Sequence, residues 1–314
     1  MRYNTYSDYL KTKYGERVYK LPVNLPITCP NRDGTCSTGG CIFCGDVGAA
    51  FENLPSTMPI KQQIAENKEF IGKKYKSGKF IAYFQNFTNT YMPLDVFKTN
   101  IREAICEDVV EIAISTRPDC IADEYMEFLK EISVEYNINI SIELGLQTVN
   151  YKTLKTINRG HTLAEFIDAV LTVHKYGFDV CTHIILNLPW DTMEDVMECA
   201  KILSALKVEQ VKLHSLYIVK NTPLEKMYLD KDFDMGTYKD YVDRVITFLE
   251  YLSPDIVIQR IIGRAKEEHT VFANYGTSWW KIKDTIDDEM ELRKTYQGIN
   301  CNYLGGSALA KFKK

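Results

Sequence analysis

The sequence predicts an α/β fold: a partial or closed (β/α) barrel of about six parallel strands, followed by a C-terminal extension. Three observations carry this. Short, nearly continuous apolar runs rich in β-branched residues alternate with longer stretches whose apolar residues recur every three or four positions. Strands read as continuous apolar runs when helices cover a parallel sheet. Six or seven such units in succession favour a closed or partly closed barrel over an open doubly wound sheet, with chemistry at the strand ends.

The chain has 314 residues, 45% of them hydrophobic, enough for one large domain or a domain with a tail. A quarter of the residues are charged and the net charge is −4, which excludes a disordered chain and a globally basic nucleic-acid binder. Residues 1–17 form a polar, Tyr-rich N-terminal segment without the apolar stretch of a secretory signal. No run approaches the ~20 apolar residues of a membrane span, so a cytoplasmic location and no membrane partner are expected.

The core barrel is assigned to 18–262. Its first strand, 18–28, is interrupted by prolines and ends at a cysteine cluster. Strands follow at 79–86, 109–115, 138–146, 180–188, 210–218 and 255–261. Helical periodicity lies between them at 57–75, 94–107, 122–135, 163–176, 191–206 and 236–252, with Ile101, Ile105, Phe128 and Ile132 on buried faces. Thr162 with Glu165 three residues on reads as a capping box, and Gly177 as a helix stop. From Gly263 the alternation ends, and 263–314 is expected to be an extension capping the barrel.

There are nine cysteines, an odd number that argues against a disulfide framework. Four of them fall between Cys29 and Cys44, in Cys29-Pro30-Asn31-Arg32-Asp33-Gly34, then Cys36, then Gly39-Gly40-Cys41-Ile42-Phe43-Cys44. Spacing alone suits a structural zinc site with four thiolates as well as an iron–sulfur cluster. Cys36 competes with Cys29 as the first ligand; Cys29 is preferred because it sits at the strand end, within the CPNRDG run. The two glycines let the loop fold back closely.

Placed after the first strand of a β/α barrel, this pattern resembles the radical S-adenosylmethionine (SAM) superfamily. CPN-R-DG…GGC-x-FC is similar in particular to relatives of the elongator catalytic subunit, and to an uncharacterised bacterial subfamily close to it. The resemblance covers most of the chain, from about Tyr6 to the last strands. It implies a [4Fe–4S] cluster held by Cys29, Cys41 and Cys44, with the fourth iron open to the amino and carboxylate groups of SAM. It places Phe43 beside the adenine.

The same resemblance extends along the strand ends. Gln85 and Asn86, after the second strand, correspond to a loop that binds the SAM amino group, although the usual Gly-Gly-Glu is missing. Thr116-Arg117-Pro118-Asp119 matches a TRPD motif; Thr116 is a candidate cofactor contact. Arg117 is either an anion contact or an ordered partner of Asp119. Glu143-Leu144-Gly145-Leu146-Gln147, followed by Asn158-Arg159-Gly160-His161, implies that Gln147 contacts the ribose and Arg159 the SAM carboxylate. A guanidinium suits that carboxylate because it donates two parallel hydrogen bonds. Glu143 alternates inward with Gly145 and Gln147 and is expected to line the site. His183 aligns with a ribose-binding position. Trp190 either stacks on a ring or packs beneath the next helix, and helix capping is the alternative role for Asn158 and Thr162. His214 and Tyr217 carry no specific signal.

The implied reaction is reductive cleavage of SAM to a 5′-deoxyadenosyl radical that abstracts hydrogen from substrate, with a flavodoxin- or ferredoxin-like electron donor. The likeness to the elongator subunit points to tRNA. Arg260, Arg264, Lys266, Trp279, Trp280, Lys281, Lys283 and the final Lys313-Lys314 are the candidate RNA contacts. A small-metabolite substrate and a zinc-stabilised RNA-binding barrel are the competing functions; brown, iron-containing protein separates the last from the others.

Overall fold

The computed structural model describes residues 2–45, 53–75, 77–263 and 267–312. The strands are β1 (Val18–Val23), β2 (Lys79–Phe84), β3 (Val109–Thr116), β4 (Asn139–Gln147), β5 (Asp179–Ile185), β6 (Gln210–His214), β7 (Ile218–Val219), β8 (Val257–Arg260) and β9 (Thr270–Phe272). All but β7 and β9 form one parallel sheet in the order β1-β2-β3-β4-β5-β6-β8. Because β1 and β8 are its free edges, the barrel is partial, a curled half-barrel rather than a closed ring.

Helices α1 (Tyr6–Tyr14), α2 (Ile60–Tyr75), α3 (Leu94–Glu103), α4 (Asp123–Tyr136), α5 (Tyr151–Thr156), α6 (Leu163–Lys175), α7 (Met193–Leu206), α8 (Pro223–Leu229), α9 (Tyr238–Tyr251) and α10 (Trp279–Leu292) complete the fold. Strand alternation sorts the side chains. On β3, Ile112 and Ile114 join the large core shared with Phe128 and Ile132 of α4. Glu111 and Ser115 instead face the polar interior, where both hydrogen-bond across strands. The α6 start is as the sequence predicts: Glu165 Oε2 accepts from the Thr162 backbone N–H at 2.6 Å. Gly177 follows the helix with φ +75°.

The N-terminal segment holds a helix that the sequence reading does not contain. Thr5 caps α1, and Gly15 ends it in the left-handed region at φ +78°. Leu10 packs with Val18, Ile81, Tyr83 and Ala113 on the inner face of the sheet. Lys13 lies 3.0 Å from Asp179 and 3.6 Å from Glu111, and Tyr14 donates to Glu111 at 2.6 Å. These partners lie toward the N-terminal ends of their strands, so α1 plugs that mouth. Just before α1, Asn4 O accepts from Ile258 N at 2.8 Å, on the open edge of β8.

The extension divides in two. Its first part reaches the opposite mouth, where β9 pairs antiparallel with β7 beyond the end of β6. The rest lies outside the barrel. α10 buries Ile282, Ile286 and Met290 in the core shared with α9. Beyond it, Gln297 N donates to Arg2 O at 2.9 Å, and Gln297 Oε1 accepts from Asn4 N at 2.9 Å. Capping of the barrel is therefore confined to the first part, and the remainder ties the two ends of the chain together. No helix among the described residues is long and apolar enough to cross a membrane.

Candidate active site

Two loops interlock at the C-terminal mouth: the cysteine loop after β1 and the loop that joins α5 to α6. Gly39 and Gly40 adopt φ +80° and +79°, and Gly40 N donates to Asn31 O at 2.8 Å, folding the loop onto itself. Asn158, itself at φ +51°, then brackets it. Its Nδ2 donates to Gly40 O at 2.8 Å and Thr38 O at 3.2 Å, and its Oδ1 accepts from Ser37 at 2.9 Å. Asn31 Nδ2 returns the contact by donating to Asn158 O at 2.6 Å. Both residues given a capping alternative do cap a helix: Thr162 starts α6, and left-handed Asn158 ends α5, with Asn158 N donating to Lys155 O at 3.0 Å and Arg159 N to Leu154 O at 2.9 Å.

Gly160 makes this fit possible. It sits at φ +78°, and a Cβ there would overlap Asn31 Oδ1 and lie 3.2 Å from Arg117 Nη2. Gly160→Ala is therefore expected to loosen the interlock, with strain of ~1–3 kcal/mol before the overlap is counted. Its thermal midpoint should fall by about 4 °C or more, and iron retention after reconstitution should fall with it. Calorimetry and iron analysis check both, and an unchanged midpoint would show that the loops do not depend on each other.

The sulfurs lie among donors. Arg159 Nη1 and Asn31 Nδ2 each approach Cys41 Sγ at 3.6 Å, and Arg117 Nη1 lies 4.0 Å from Cys29 Sγ. Arg159 is held by Gly145 O, which accepts from its Nη2 at 2.6 Å and its Nε at 3.2 Å. A Cβ at position 145 would lie 2.8 Å from Arg159 Nη2, so only glycine leaves room for the guanidinium. His161 Nε2 approaches the same carbonyl at 3.1 Å. Burial, reinforced by the charges of Arg159 and Arg117, pushes the His161 pKa down to about 3, so the ring is neutral near pH 7. Burial pushes the Cys44 thiol up to about 11. A metal centre must therefore displace its proton.

Arg117 resolves toward the ordered alternative. It is 2% exposed and forks onto Asp119 at 2.8 and 2.7 Å, while its Nη1 donates to Arg159 O at 2.9 Å. Cys36 is exposed and turns its thiol to Asp119 Oδ2 at 3.5 Å; partial burial of the sulfur and then this anionic neighbour disfavour a thiolate. Trp190 packs edge-on against Phe233, in the segment after α8, at 5.3 Å, within a small apolar cluster that also takes in Phe43 and includes no residue of the next helix, α7.

Other candidates sit apart from the sulfurs or are already engaged. Gln147 occupies a left-handed bulge at φ +77° at the end of β4, and its Nε2 lies 2.9 Å from where a Cβ of Gly145 would be. Gln85 is half-buried at the rim. Asn86 donates to Asn24 Oδ1 at 3.3 Å, and Thr116 Oγ1 shares a 2.6 Å hydrogen bond with Thr90 Oγ1. Both side chains thus bond across to a neighbouring segment, Asn86 to the one after β1 and Thr116 to the one after β2.

Glu143 requires a correction. It points inward as expected, but its oxygens are saturated by protein donors. One accepts from Lys20 and, at 3.3 Å, from Gln259. The other accepts from Lys212 at 2.6 Å, Tyr83 at 2.7 Å and His183 at 2.8 Å. Glu143 and His183 therefore belong to a buried network beneath the mouth, and not to a ring of free ligand groups. Lys20 and Lys212 are absent from the sequence reading. The available signal was a lysine within an apolar strand, as in VYKLPV and QVKLH, which needs a buried partner.

The basic tail also requires correction. Arg260 faces the interior, where its Nη2 lies 2.6 Å from His214 Nδ1. Lys283 is paired with Asp287 at 2.5 Å, and α10 carries Asp284, Asp287, Asp288, Glu289 and Glu291 against Lys281 and Lys283. Trp279 packs on the core while Trp280 is exposed. Arg264, Lys266, Lys313 and Lys314 lie outside the described residues.

Among the described residues, the one group of three or more Cys, His, Asp or Glu ligand atoms within 4.8 Å of one another is Glu143, Cys181 and His183. Four thiolates on one zinc would lie ~3.8 Å apart, given Zn–S bonds of ~2.3 Å. No three of Cys29, Cys36, Cys41 and Cys44 converge so tightly. A cluster that spreads its thiolates over three different irons accepts the wider arrangement, and N–H donors on the sulfurs suit it.

Fold and site together define a half-barrel with a cysteine-rich loop at its C-terminal mouth. The radical SAM superfamily model matches residues 33–203, and the Radical_SAM C-terminal domain matches 208–292. The chain belongs to the radical SAM superfamily, whose enzymes use a [4Fe–4S] cluster and SAM. It is 36% identical over 298 residues to the uncharacterized protein YtqA of Bacillus subtilis, covering 95% of this chain and 92% of that one. It is 26% identical over 291 residues to the tRNA uridine(34) acetyltransferase of Methanocaldococcus jannaschii, covering 78% of this chain and 51% of the relative. The fold is that of the archaeal Methanocaldococcus infernus Elp3 solved with an N-terminal deletion, at TM-score 0.68 and 15% identity, covering 89% of this chain and 64% of that one.

Proposed function

We propose that Cys29, Cys41 and Cys44 hold the [4Fe–4S] cluster and that the enzyme modifies RNA, with tRNA as the substrate class. The observation that carries the ligand assignment is the interlock of the two loops, which brings Arg159 and Asn31 onto Cys41 and Arg117 toward Cys29. Held by these thiolates, the cluster would supply reductive carbon–sulfur cleavage of SAM and, through it, hydrogen abstraction from the substrate. The chain's own residues do the rest. Phe43 offers an apolar wall, Gln147 reaches over Gly145, and Arg159 presents a guanidinium fixed by Gly145 O. Gln85 lies at the same rim. We assign 1–17 as the plug segment, 18–262 as the core and 263–314 as the extension. A flavodoxin- or ferredoxin-like protein is the proposed electron donor.

RNA is supported by the likeness to the tRNA uridine(34) acetyltransferase, of which this chain spans about half. A small-metabolite substrate is the second reading, favoured by the acidic face of α10 and the inward position of Arg260. Anaerobically reconstituted protein, reduced with SAM present, should release 5′-deoxyadenosine. Adding bulk tRNA should raise that rate, and salt should weaken tRNA binding steeply. Release without any salt-sensitive binding of tRNA would transfer the proposal to a small metabolite, and no release at all would refute the ligand assignment.

Arg159→Lys is expected to keep its iron and bind SAM ~10-fold or more weakly, because an ammonium cannot replace a fork held on Gly145 O. Equilibrium SAM binding on the reconstituted variant checks this. An unchanged affinity would remove Arg159 from the SAM site.

A further inference from the structure

The inner face of the half-barrel segregates charge along its axis. At the plugged mouth, one cation, Lys13, meets two carboxylates, Glu111 and Asp179. Toward the open mouth the balance reverses: Lys20 and Lys212 bond the single carboxylate of Glu143, and Arg260 lies beside Lys212 on the next strand. Lys20 and Lys212 both bond Glu143, but among the described residues no carboxylate pairs with Arg260. Its Nε is buried without a hydrogen-bond partner, and its Nη2 rests on His214.

Register places these groups in one row. Gly145 of β4 sits beside His183 of β5, His183 beside Lys212 of β6, and Lys212 beside Arg260 of β8. His214 lies one residue pair nearer the mouth, its ring 5.4 Å from that of His183. The row therefore starts at the carbonyl that holds Arg159 and runs across the interior to the sheet edge. The two imidazoles do not add cations to it. Burial, with Lys212, lowers the His183 pKa to about 4, and burial, with Arg260, lowers His214 well below its usual value. A neutral imidazole donates one hydrogen bond; that of His183 goes to Glu143, which leaves His214 as the imidazole that can turn a donor to a ligand.

A half-buried guanidinium that no described carboxylate compensates, with its Nε–H buried and unpartnered and a neutral imidazole beside it, is complementary to an anion. We propose that Arg260 and His214 bind an oxyanion of the substrate, a phosphate or a carboxylate, and so hold its reacting carbon toward the SAM side of the mouth. The proposal rests on the reading of this mouth as the place where SAM reacts; it does not depend on the substrate being RNA.

The test uses the reconstituted holoprotein with SAM, in inorganic phosphate or acetate titrated against chloride at constant ionic strength. The unfolding midpoint should rise with the oxyanion, as mass action on the folded state requires. Phosphate alone raising it would assign a phosphoryl group, whereas both anions raising it would admit a carboxylate. Arg260→Gln should weaken the apparent affinity by ~10- to 100-fold, the range of a charge-assisted hydrogen bond. Arg260→Lys, which keeps the charge but loses the fork, should fall between and covers the case in which Arg260→Gln does not fold. No anion-specific rise in the wild type, or the same rise in the folded Arg260 variants, would overturn the proposal. Anion binding through Arg260 in a protein that never cleaves SAM would leave this site standing and refute the cluster assignment instead.

Discussion

Cys29→Ala, Cys41→Ala and Cys44→Ala are each expected to lower 5′-deoxyadenosine formation by more than ~100-fold, beyond the 10- to 100-fold losses typical of residues that merely support a metal ligand. Iron and sulfide should fall with it. Cys36→Ala should keep both nearly intact. The difference follows from where each thiol points. Cys41 is buried under two nitrogen donors and Cys44 is deep enough that its thiol resists ionisation, whereas Cys36 is exposed and faces Asp119. Iron analysis beside the product assay checks all four variants. If Cys36→Ala lost the cluster and Cys29→Ala kept it, the first ligand would have to be reassigned.

Glu143→Gln is expected to be the most destabilising single substitution in the barrel interior, by ~3–5 kcal/mol, because it leaves two buried ammonium groups without their carboxylate. That is a large share of the ~5–15 kcal/mol that holds a typical domain together. The effect carries a pH signature. Burial alone would raise the Glu143 pKa, but Lys20 and Lys212, together with the His183 hydrogen bond, outweigh it and hold the group well below the usual carboxylate range. A depressed folded-state value means that its stabilisation is complete above the unfolded value near 4.5 and disappears as pH falls through the folded value. Unfolding midpoints of wild type and variant should therefore lie far apart at pH 7.5 and converge in acid. Combining Glu143→Gln with Lys212→Met should recover part of the loss, because the double change removes an unpaired charge. A variant as stable as wild type at pH 7.5 would show that water or a ligand neutralises the ammonium groups.

The strands were legible because each is a short apolar run between turn signals; KFIAYF and VVEIAIST become β2 and β3 almost residue for residue. Helices with broad apolar faces were legible for the same reason. α1 and α10 were not. α1 buries Leu10 alone among tyrosines and lysines, and α10 (14 residues) buries Ile282, Ile286 and Met290 along an acidic sequence. Their stability comes from tertiary contacts, to which local periodicity is blind. In the site, the CPNRDG…GGC-x-FC and NRGH runs were visible as motifs. That they grip each other through Asn31 and Asn158 was not, because the contact spans over a hundred residues and depends on left-handed backbone at Asn158 and Gly160. Arg260 looked like part of a basic tail, since sequence does not reveal on which side of an edge strand a side chain falls after a register shift.

The clasp between Arg2, Asn4 and Gln297 bears on how the chain is made. Ribosomal synthesis at ~5–20 residues per second delivers residue 297 roughly 15–60 s after residue 2. Until then the edge of β8 has not met its full set of partners, and the residues before α1 have no C-terminal anchor. A nascent chain can form α/β units one after another, since each strand pairs with a near neighbour, but the seam closes last. A ribosome-bound chain arrested before α10 should therefore expose the β8 edge, the surface on which a nascent-chain chaperone would act.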